Sequence, residues 1–479
     1  MADGVEIAER KSCAFFLKRK NRFCRMTVGG GRRYCGEHMV VAGEAEVDGR
    51  KRITCPLDKK HTVYEDQLER HLKKCNQTKK IHVVYYSANI NSGIPNYEFS
   101  PAEKVSLNSV SQEKVTKLIE KVKACCKAHV PKIPEEILSH QVFQEELLEM
   151  ANNATILKHL KQQASLIGHL EQQHLFEPKT TFLEFGAGRG KLSHWLQLAV
   201  GNNATDVNYL LIDRANIRYK YDRYHRGEDQ GPSFQRLNLD IEHLDLSKVP
   251  CLKNREQNIV AISKHLCGAA TDLTLRCLME TLINSQNTEV SSPSAEDSFV
   301  DRESKRLRIA PSEGPVKGII LALCCHHCCS WPQYVGRPFL QNLGFTAEDF
   351  HLLCCLSSWA TCGIRAKKRQ KGNTGETVDD HTVSGGDNED WDSDNENGHN
   401  TMTEKTSVKE EERNQSPDQD RWSQFTVSER EEIGRQCKRL IDAGRLWYLE
   451  SRDFSAKLAF YVDSTVSLEN AVLIATPRT

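Results

Sequence analysis

The sequence predicts an α/β protein built on a parallel sheet that is covered on both faces. Helical patterns alternate with strand-like apolar runs, which is typical of such a sheet. Before the first strand, residues 102–174 read mainly as helix, because apolar residues such as Val115, Leu118, Ile119 and Val122 recur three and four positions apart. The predicted strands are Thr181–Phe185, Tyr209–Ile212, Asn258–Ser263, Gly318–Leu323 and Leu458–Val462.

Charge is distributed unevenly along the 479 residues, although the 65 Lys and Arg balance the 65 Asp and Glu. Residues 1–80 hold 19 basic and 11 acidic side chains, so a nucleic-acid surface would be a local patch there. Residues 372–420 hold 3 basic and 15 acidic side chains and few apolar ones, a composition typical of disorder. We therefore expect disordered inserts at about 285–315 and 366–420.

No segment of the sequence predicts secretion or a membrane span. The first residues are polar, and the longest apolar run, Gly318–Cys325, is far shorter than the roughly 20 residues that cross a bilayer. We expect an intracellular protein, nuclear or cytoplasmic or both, with no membrane partner. Its 18 cysteines are then thiols or metal ligands and not disulfides.

Two Cys/His groups near the N-terminus have the composition of closed tetrahedral zinc sites. The pair His71 and Cys75 would share one face of a helix, and Cys55 with His61 would lie on a hairpin. Ordinary buried thiols and surface histidines are the alternative for each group. The predicted ligands are Cys13, Cys24, Cys35 and His38 in a module at 10–40, and Cys55, His61, His71 and Cys75 in a finger at 52–80.

Basic and aromatic side chains are interleaved around the first ligand group. Arg22 and Arg25 lie close to Phe16, Phe23 and Tyr34 in the sequence. Basic groups suit backbone phosphates and aromatic rings suit exposed bases, so this composition indicates RNA binding. A merely solvated loop is the alternative.

The glycine run after the first predicted strand is the sharpest motif. Glu184 precedes Gly186, Gly188 and Gly190, and a helical pattern follows from Lys191. Such a loop brings backbone close to a ligand and offers a helix N-terminus to an anionic group. The spacing is neither the G-x-G-x-x-G of dinucleotide sites nor a Walker A loop. It resembles the first motif of class I S-adenosylmethionine methyltransferases.

Two acidic side chains further along the chain suit a bound nucleoside. Asp213 ends the run Tyr209–Ile212, a position that suits the two ribose hydroxyls of a nucleoside. Asp240 lies where an adenine amino group would need an acceptor. A helix cap or an ion pair with Arg214 is the alternative for Asp213, and a turn cap is the alternative for Asp240.

Lys264 and His265 follow the strand Ile259–Ser263, where open α/β sheets hold their reacting groups. Either side chain could accept a proton from a ribose 2′-hydroxyl or orient its oxygen. The alternative is that Lys264 binds a phosphate and His265 is structural. The sequence contains no Pro-Pro of the kind that adenine-N6 enzymes carry at this strand end.

A run of four cysteines and two histidines, Cys324 to Cys329, follows the next strand. Adjacent side chains on an extended segment point in opposite directions, so one metal ion would reach only two or three of them. We therefore favour thiols packed near the active cleft, with a third zinc ion as the alternative.

These motifs together resemble one family. The order is C-x10-C-x10-C-x2-H, then the CHHC group, E-x-G-x-G-x-G, S-K-H-L-C-G-x-A-T-D at Ser263–Asp272, and A-L-C-C-x-H. It resembles the eukaryotic tRNA 2′-O-methyltransferases that modify the fourth nucleotide of the acceptor stem, the tRNA:m4X modification enzymes. The resemblance covers most of the chain outside the two inserts.

The resemblance implies a Rossmann-like class I methyltransferase domain at 175–475, with small zinc-binding modules before it. It implies S-adenosylmethionine as donor, two structural zinc ions, and glycine, proline and, in animals, histidine tRNAs as partners, with no DNA. Glu184, Gly186, Gly188 and Gly190 would line the donor site, while Lys264 and His265 would face the ribose. The competing hypothesis is a non-catalytic RNA-binding adaptor with a degenerate methyltransferase fold.

Overall fold

The chain forms two compact units, residues Met1–Tyr86 and Ser87–Thr479. The computed structural model describes residues 12–17, 22–29, 32–44, 46–47, 49–94, 107, 109–201, 206–215, 221, 233–253, 257–283, 315–362 and 421–478. The two predicted inserts, at about 285–315 and 366–420, lie outside the described residues apart from Pro315.

The N-terminal unit consists of short elements with little apolar core. The antiparallel pair β1 (Phe16–Leu17) and β2 (Arg22–Phe23) precedes helix α1 (Gly36–Val41). A three-stranded antiparallel sheet follows, and then two short helices. These are β3 (Glu46–Val47), β4 (Arg50–Cys55), β5 (Asp58–Tyr64), α2 (Leu68–Leu72) and α3 (Asn76–Ile81). The buried cysteines are the centre of this unit, as expected where metal binding replaces a core.

The second unit is built on a sheet that has seven strands among the described residues, in the order β11-β12-β10-β9-β6-β7-β8. From β8 to β10 all neighbours are parallel, and the strand order reverses direction between β6 and β9. The strands are β6 (Thr180–Phe185), β7 (Asn208–Ile212), β8 (Ser233–Leu237), β9 (Asn258–Cys267), β10 (Val316–Cys324), β11 (Phe454–Phe460) and β12 (Ala471–Pro477).

The sheet is mixed, which corrects the expectation of a purely parallel one. Strand β12 lies between β10 and β11 and is antiparallel to both. Residues 461–470 join β11 to β12, and across this connection the chain turns back on itself and pairs as an antiparallel hairpin. Two further differences are that β8 and β12 were not predicted as strands, and that β9 continues past Ser263 to Cys267.

Helices pack on the sheet and on one another in two buried clusters. One cluster joins α6 and α7 to the central strands through side chains such as Leu166, Trp195 and Val260. The other lies among α4, α10 and α11 and includes Val115, Phe350 and Leu440. The helices are α4 (Gln112–His129), α5 (Gln144–Glu149), α6 (Ala154–Gln172), α7 (Lys191–Val200), α8 (Ala269–Arg276), α9 (Arg337–Asn342), α10 (Ala347–Ser357) and α11 (Val427–Glu450).

Within the described ranges, no helix combines the length and the apolar character needed to cross a bilayer. Even α11, with 24 residues, carries charged side chains along its whole length. The longest helices are instead amphipathic: α4 buries Val115, Leu118, Ile119 and Val122, the side chains whose spacing indicates a helix.

A fully buried network of charged groups ties three elements together beside the sheet. Arg445 of α11 donates through Nη2 to Asp272 Oδ2 of α8 at 2.7 Å and through Nη1 to Asp442 Oδ1 at 3.0 Å. The same Asp442 oxygen lies 2.7 Å from His326 Nε2, in the loop after β10. Burial alone would raise the pKa of Asp442, but His326, Arg439 and Arg445 hold it well below its ordinary value.

We predict that Arg445→Met lowers the free energy of unfolding of the second unit by about 3–5 kcal/mol, because it leaves the buried Asp272 carboxylate without its cation. Chemical denaturation followed by tryptophan fluorescence measures the loss. The matched control is Arg435→Met on the same helix, whose half-exposed ion pair with Glu432 contributes about 1 kcal/mol or less. Equal losses in the two variants would contradict a special role for the buried network.

Candidate functional site

The first predicted ligand group converges on one point. Cys13, Cys24, Cys35 and His38 bring one ligand atom each within 4.8 Å of one another. His38 Nδ1 lies 3.2 Å from Cys35 Sγ and 3.5 Å from Cys13 Sγ. The ring of Phe15 stacks on His38 at 4.2 Å between centroids and holds the imidazole in place. Three thiols and one imidazole in this arrangement suit a structural zinc ion.

The second predicted group also converges, with ligand atoms of Cys55, His61, His71 and Cys75 within 4.8 Å of one another. The hairpin β4–β5 supplies Cys55 and His61, as predicted. The prediction that His71 and Cys75 share one helix is wrong. Helix α2 has only five residues and ends at Leu72, and Cys75 is the residue just before α3. The backbone turn between the helices brings Cys75 Sγ within 3.7 Å of His61 Nε2.

The glycine loop, residues 186–190, follows the central strand β6 at its carboxyl end. All three of its glycines have positive φ, from +50° to +83°. A Cβ atom on Gly186 would lie 2.7 Å from the carbonyl oxygen of His265, so a side chain there would collide with the end of β9. The loop is therefore a backbone surface at the point where the strand order reverses, which is where open α/β sheets bind ligands.

Glu184 lies beneath this loop with only 4% of its surface exposed. Its carboxylate accepts hydrogen bonds from the backbone N–H of Ser193, at 2.9 Å, and from the Ser193 hydroxyl. Ser193 belongs to the first turn of α7, so Glu184 satisfies a backbone donor that the helix leaves unpaired. Burial raises the pKa of Glu184 to about 7, against the hydrogen bonds from Ser193 and the charge of Arg236.

Two side chains, one just after β7 and one in β8, hold the loop by its backbone. Asp213, just after β7, accepts from the N–H of Gly188 and from the N–H of Ala215, each at 2.7 Å. Arg236 of β8 donates to the carbonyl oxygen of Gly188 at 2.9 Å. Both backbone groups of Gly188, its N–H and its carbonyl oxygen, are thus held by side chains, and no sequence pattern indicated the contribution of Arg236.

Asp240 caps a short turn, the alternative weighed for it from the sequence. Its Oδ1 accepts from the N–H of Glu242 at 3.2 Å, and its Oδ2 lies 3.4 Å from Arg214 Nη1. The side chain is partly exposed at the same sheet edge as Asp213. Contact with an adenine stays a prediction.

Lys264 and His265 lie in a β-bulge and not in a loop after the strand. Strand β9 pairs Ser263 with Leu321 and then Leu266 with Leu323, so it carries one extra residue relative to β10. A bulge of this kind redirects side chains at the rim of a sheet. Here it leaves Lys264 partly buried, and His265 is exposed.

The ammonium group of Lys264 lies 2.9 Å from Nδ1 of His159, a residue of α6 that the sequence reasoning missed. Burial, together with the charges of Lys158 and Lys191, lowers the pKa of Lys264 to about 8. Burial and Lys264 in turn lower the pKa of His159 to about 4, so Lys264 donates to a neutral imidazole. A polar residue between the buried positions of an amphipathic helix is the one signal that could have indicated His159.

The run from Cys324 to Cys329 divides into parts with different contacts. Cys324 and Cys325 lie next to His265 and Cys267. His326 binds Asp442 in the buried network, and Cys329 Sγ lies 3.2 Å from Arg445 Nη2. Only Cys328 in this run is an exposed thiol. The run is therefore not one metal site, as the alternation of extended side chains predicts.

Comparison with known families assigns a class to each part of the chain. Residues 11–39 match the CCCH zinc finger in TRM13 protein, and residues 52–76 match the U11-48K-like CHHC zinc finger. Residues 161–476, which include the seven-stranded sheet up to the next-to-last residue of β12, match Methyltransferase TRM13. The fold and site therefore define a methyltransferase that carries two zinc fingers, and each finger match contains one of the two convergent groups described above.

Relatives from other organisms are similar to this chain along nearly its whole length. Proteins of Mus musculus and Homo sapiens, each named tRNA:m(4)X modification enzyme TRM13 homolog, are 40% identical over 97% of this chain and 94% of their own. The tRNA:m(4)X modification enzyme TRM13 of Saccharomyces cerevisiae is 30% identical over 98% of this chain and 96% of its own. This chain belongs to the TRM13 methyltransferase family.

We predict that Glu184→Gln flattens the dependence of stability on pH. The Glu184 pKa rises from an ordinary 4.5 in the unfolded chain to about 7 in the folded one. Its contribution is therefore complete below pH 4.5 and is lost as pH rises through 7, by about 3 kcal/mol. Unfolding free energies measured from pH 5 to pH 8 should fall more in the wild type than in Glu184→Gln.

Glu113→Gln is the matched control for this measurement, because Glu113 is exposed on α4. Its curve should follow that of the wild type. Other titrating groups contribute equally to all three proteins, so the difference between the curves isolates Glu184. Parallel curves for Glu184→Gln and the wild type would contradict the raised pKa.

Proposed function

We propose that this chain is a tRNA 2′-O-methyltransferase that uses S-adenosylmethionine. Its substrate is the ribose of nucleotide 4 in the acceptor stem of glycine, proline and, in animals, histidine tRNAs. The observation that carries the proposal is the glycine loop, clamped at the carboxyl end of β6 beside Lys264 in the adjacent strand. The relatives that share most of the chain are named for modification of tRNA.

The sheet supports a Rossmann-like class I fold for the second unit. Its parallel part has the order β8-β7-β6-β9-β10, which numbers 3-2-1-4-5 along the chain. In that order, the crevice for a nucleoside opens beside the first strand, where the connections change direction. The loop that follows the first strand here is the glycine loop.

The residues around the loop fit S-adenosylmethionine. The positive φ values and the contact of Gly186 with His265 keep side chains out of the path of a ligand. Each oxygen of Asp213 already accepts one backbone N–H and keeps a lone pair for a ribose hydroxyl. Asp240 remains our candidate for the adenine amino group. When bound, the donor supplies an electrophilic methyl group on a sulfonium.

Lys264 is our candidate for contact with the reacting hydroxyl. It lies in the β9 bulge, one strand away from the glycine loop, and His159 fixes its ammonium group. From there it can hold the 2′-oxygen in line with the methyl group, which is the main requirement for direct displacement. Lys158 and Lys191, whose charges act on Lys264, make this rim attractive to phosphates of an RNA strand.

The first zinc finger offers a surface that suits RNA. Phe16 and Phe23 expose 41% and 46% of their surface, and their rings are 5.2 Å apart. Arg22 lies beside them in β2. Base edges are hidden in an RNA duplex, so we expect this surface to recognise phosphates and unpaired bases near the stem. The intracellular location stays a prediction.

We predict that the purified chain transfers labelled methyl groups to an unmodified glycine tRNA transcript. Digestion of the product should yield the label in a 2′-O-methylated nucleotide at position 4. The matched control is the same transcript with a 2′-deoxyribose at position 4, which keeps its shape at that site but lacks the acceptor. It should take up no label.

Label on a base, or equal labelling of the deoxy transcript, would exclude ribose 2′-O-methylation. An absence of labelling, together with an absence of donor binding by calorimetry, would support the adaptor hypothesis instead. The position of the label therefore identifies the acceptor atom, and donor binding by calorimetry shows whether the chain is an active methyltransferase or an adaptor.

We also predict that Lys264→Met reduces kcat by about 100-fold or more, because it keeps the length of the side chain but removes the group that contacts the hydroxyl. KM for tRNA should change less than kcat. Lys117→Met on the exposed face of α4 is the matched control and should retain wild-type kinetics. A Lys264→Met enzyme with normal kcat would remove Lys264 from the mechanism.

A further inference from the structure

A third group of metal-ligating side chains lies in the second unit, outside both zinc fingers. His265 and Cys267 at the end of β9 meet Cys324 and Cys325 at the end of β10, with one ligand atom from each within 4.8 Å of the others. Cys267 Sγ lies 2.8 Å from His265 Nε2 and 3.4 Å from Cys325 Sγ. Cys324 Sγ lies 3.5 Å from His265 Nδ1.

These separations resemble those inside the two fingers that the family comparisons identify. In the CHHC finger, Cys55 Sγ lies 4.0 Å from Cys75 Sγ and 3.2 Å from His71 Nε2. In the CCCH finger, Cys35 Sγ lies 3.2 Å from His38 Nδ1. Among the residues that the structure describes, the third group is thus as compact as two groups that belong to zinc-finger families.

Two local features of the backbone make this convergence possible. The bulge in β9 redirects its end, so that His265 and Cys267 approach the neighbouring strand. Cys325 has a φ of +49°, a left-handed conformation that is strained for a non-glycine residue. This turn places Cys325 beside Cys324, although adjacent residues of a straight strand point in opposite directions. Strain of this kind is found at functional sites.

A disulfide or a set of packed thiols explains less of this arrangement. A disulfide bond between Cys267 and Cys325 would involve two of the four side chains. It would not explain why His265 and Cys324 also converge on the same point. Disulfides are also rare in reducing compartments. Three thiols and one imidazole at these separations make a complete Cys3His ligand set, the composition of closed structural zinc sites.

We propose that His265, Cys267, Cys324 and Cys325 bind a third, structural zinc ion. Binding releases the protons of the three thiols to solvent and leaves a site with one net negative charge. The ion would join the ends of β9 and β10. This site would lie next to the glycine loop, because the carbonyl oxygen of His265 faces Gly186. In this assignment His265 is a metal ligand, and Lys264 alone of the predicted catalytic pair faces the substrate.

Zinc content of the full-length protein tests the proposal without any measurement of activity, so its outcome is independent of the proposed function. Inductively coupled plasma mass spectrometry should find three zinc ions per chain, one for each group. Cys267→Ser and Cys324→Ser should each reduce the content to two. Cys328→Ser is the matched control, because Cys328 is an exposed thiol of the same loop outside the group, and it should retain three.

Two zinc ions in the wild type, or three in the Cys267→Ser/Cys324→Ser double variant, would overturn the proposal. A second measurement uses only the wild type and so does not depend on the folding of variants. Alkylation mapped by mass spectrometry should leave Cys267 and Cys325 protected until a chelator is added, while Cys328 reacts at once. Reaction of Cys267 and Cys325 before chelation, or a disulfide between them, would overturn it equally.

Discussion

The buried pairing of Arg445 with Asp272 is the constraint on which the second unit depends. An ion removed from water costs several kcal/mol unless a partner compensates it, so neither side chain can leave without the other. Asp272 lies in α8 and Arg445 lies in α11, and Asp442 extends the network to His326. The carboxyl ends of β9 and β10 lead directly into two of these anchored elements. Their relative position is thereby fixed where a ligand would bind.

This anchoring explains why the candidate site can rely on close backbone approaches. Gly186 passes the carbonyl oxygen of His265 with no room for a methyl group, and such a contact needs both strand ends to stay in place. The same fixed ends hold Lys264 against His159 of α6. The chemistry proposed here requires an in-line geometry, and a displacement of about 1 Å is enough to reduce the rate strongly. The charged network lies outside the candidate site, and it keeps the ends of β9 and β10 rigid within the site.

Local patterns in the sequence were sufficient for features that depend on local chemistry. The grouping of eight Cys and His side chains into two sets of four was predicted from residue type and spacing, and the glycine loop from its composition. Features that depend on distant pairing were not. Arg445 and Asp272 are 173 residues apart, the antiparallel entry of β12 depends on a hairpin near the C-terminus, and the bulge at Lys264 exists only relative to β10. Periodicity carries no information on such partners. The prediction that one helix continues through Cys75 was wrong for a different reason, because a spacing of four residues does not show where a short helix ends.

The glycine motif can be explained largely by the construction of the loop itself. Glu184 accepts a hydrogen bond from the first turn of α7, and Gly186 avoids the end of β9. Asp213 and Arg236 hold the N–H and the carbonyl oxygen of Gly188. Each role concerns the path of the backbone before any ligand arrives. A loop that is already held in its binding conformation loses little entropy when a ligand binds. Less of the binding free energy is then offset by the ordering of the loop. The acidic and glycine residues of the motif are thus required first by the geometry of the loop, and the proposed donor would bind to a loop of that geometry.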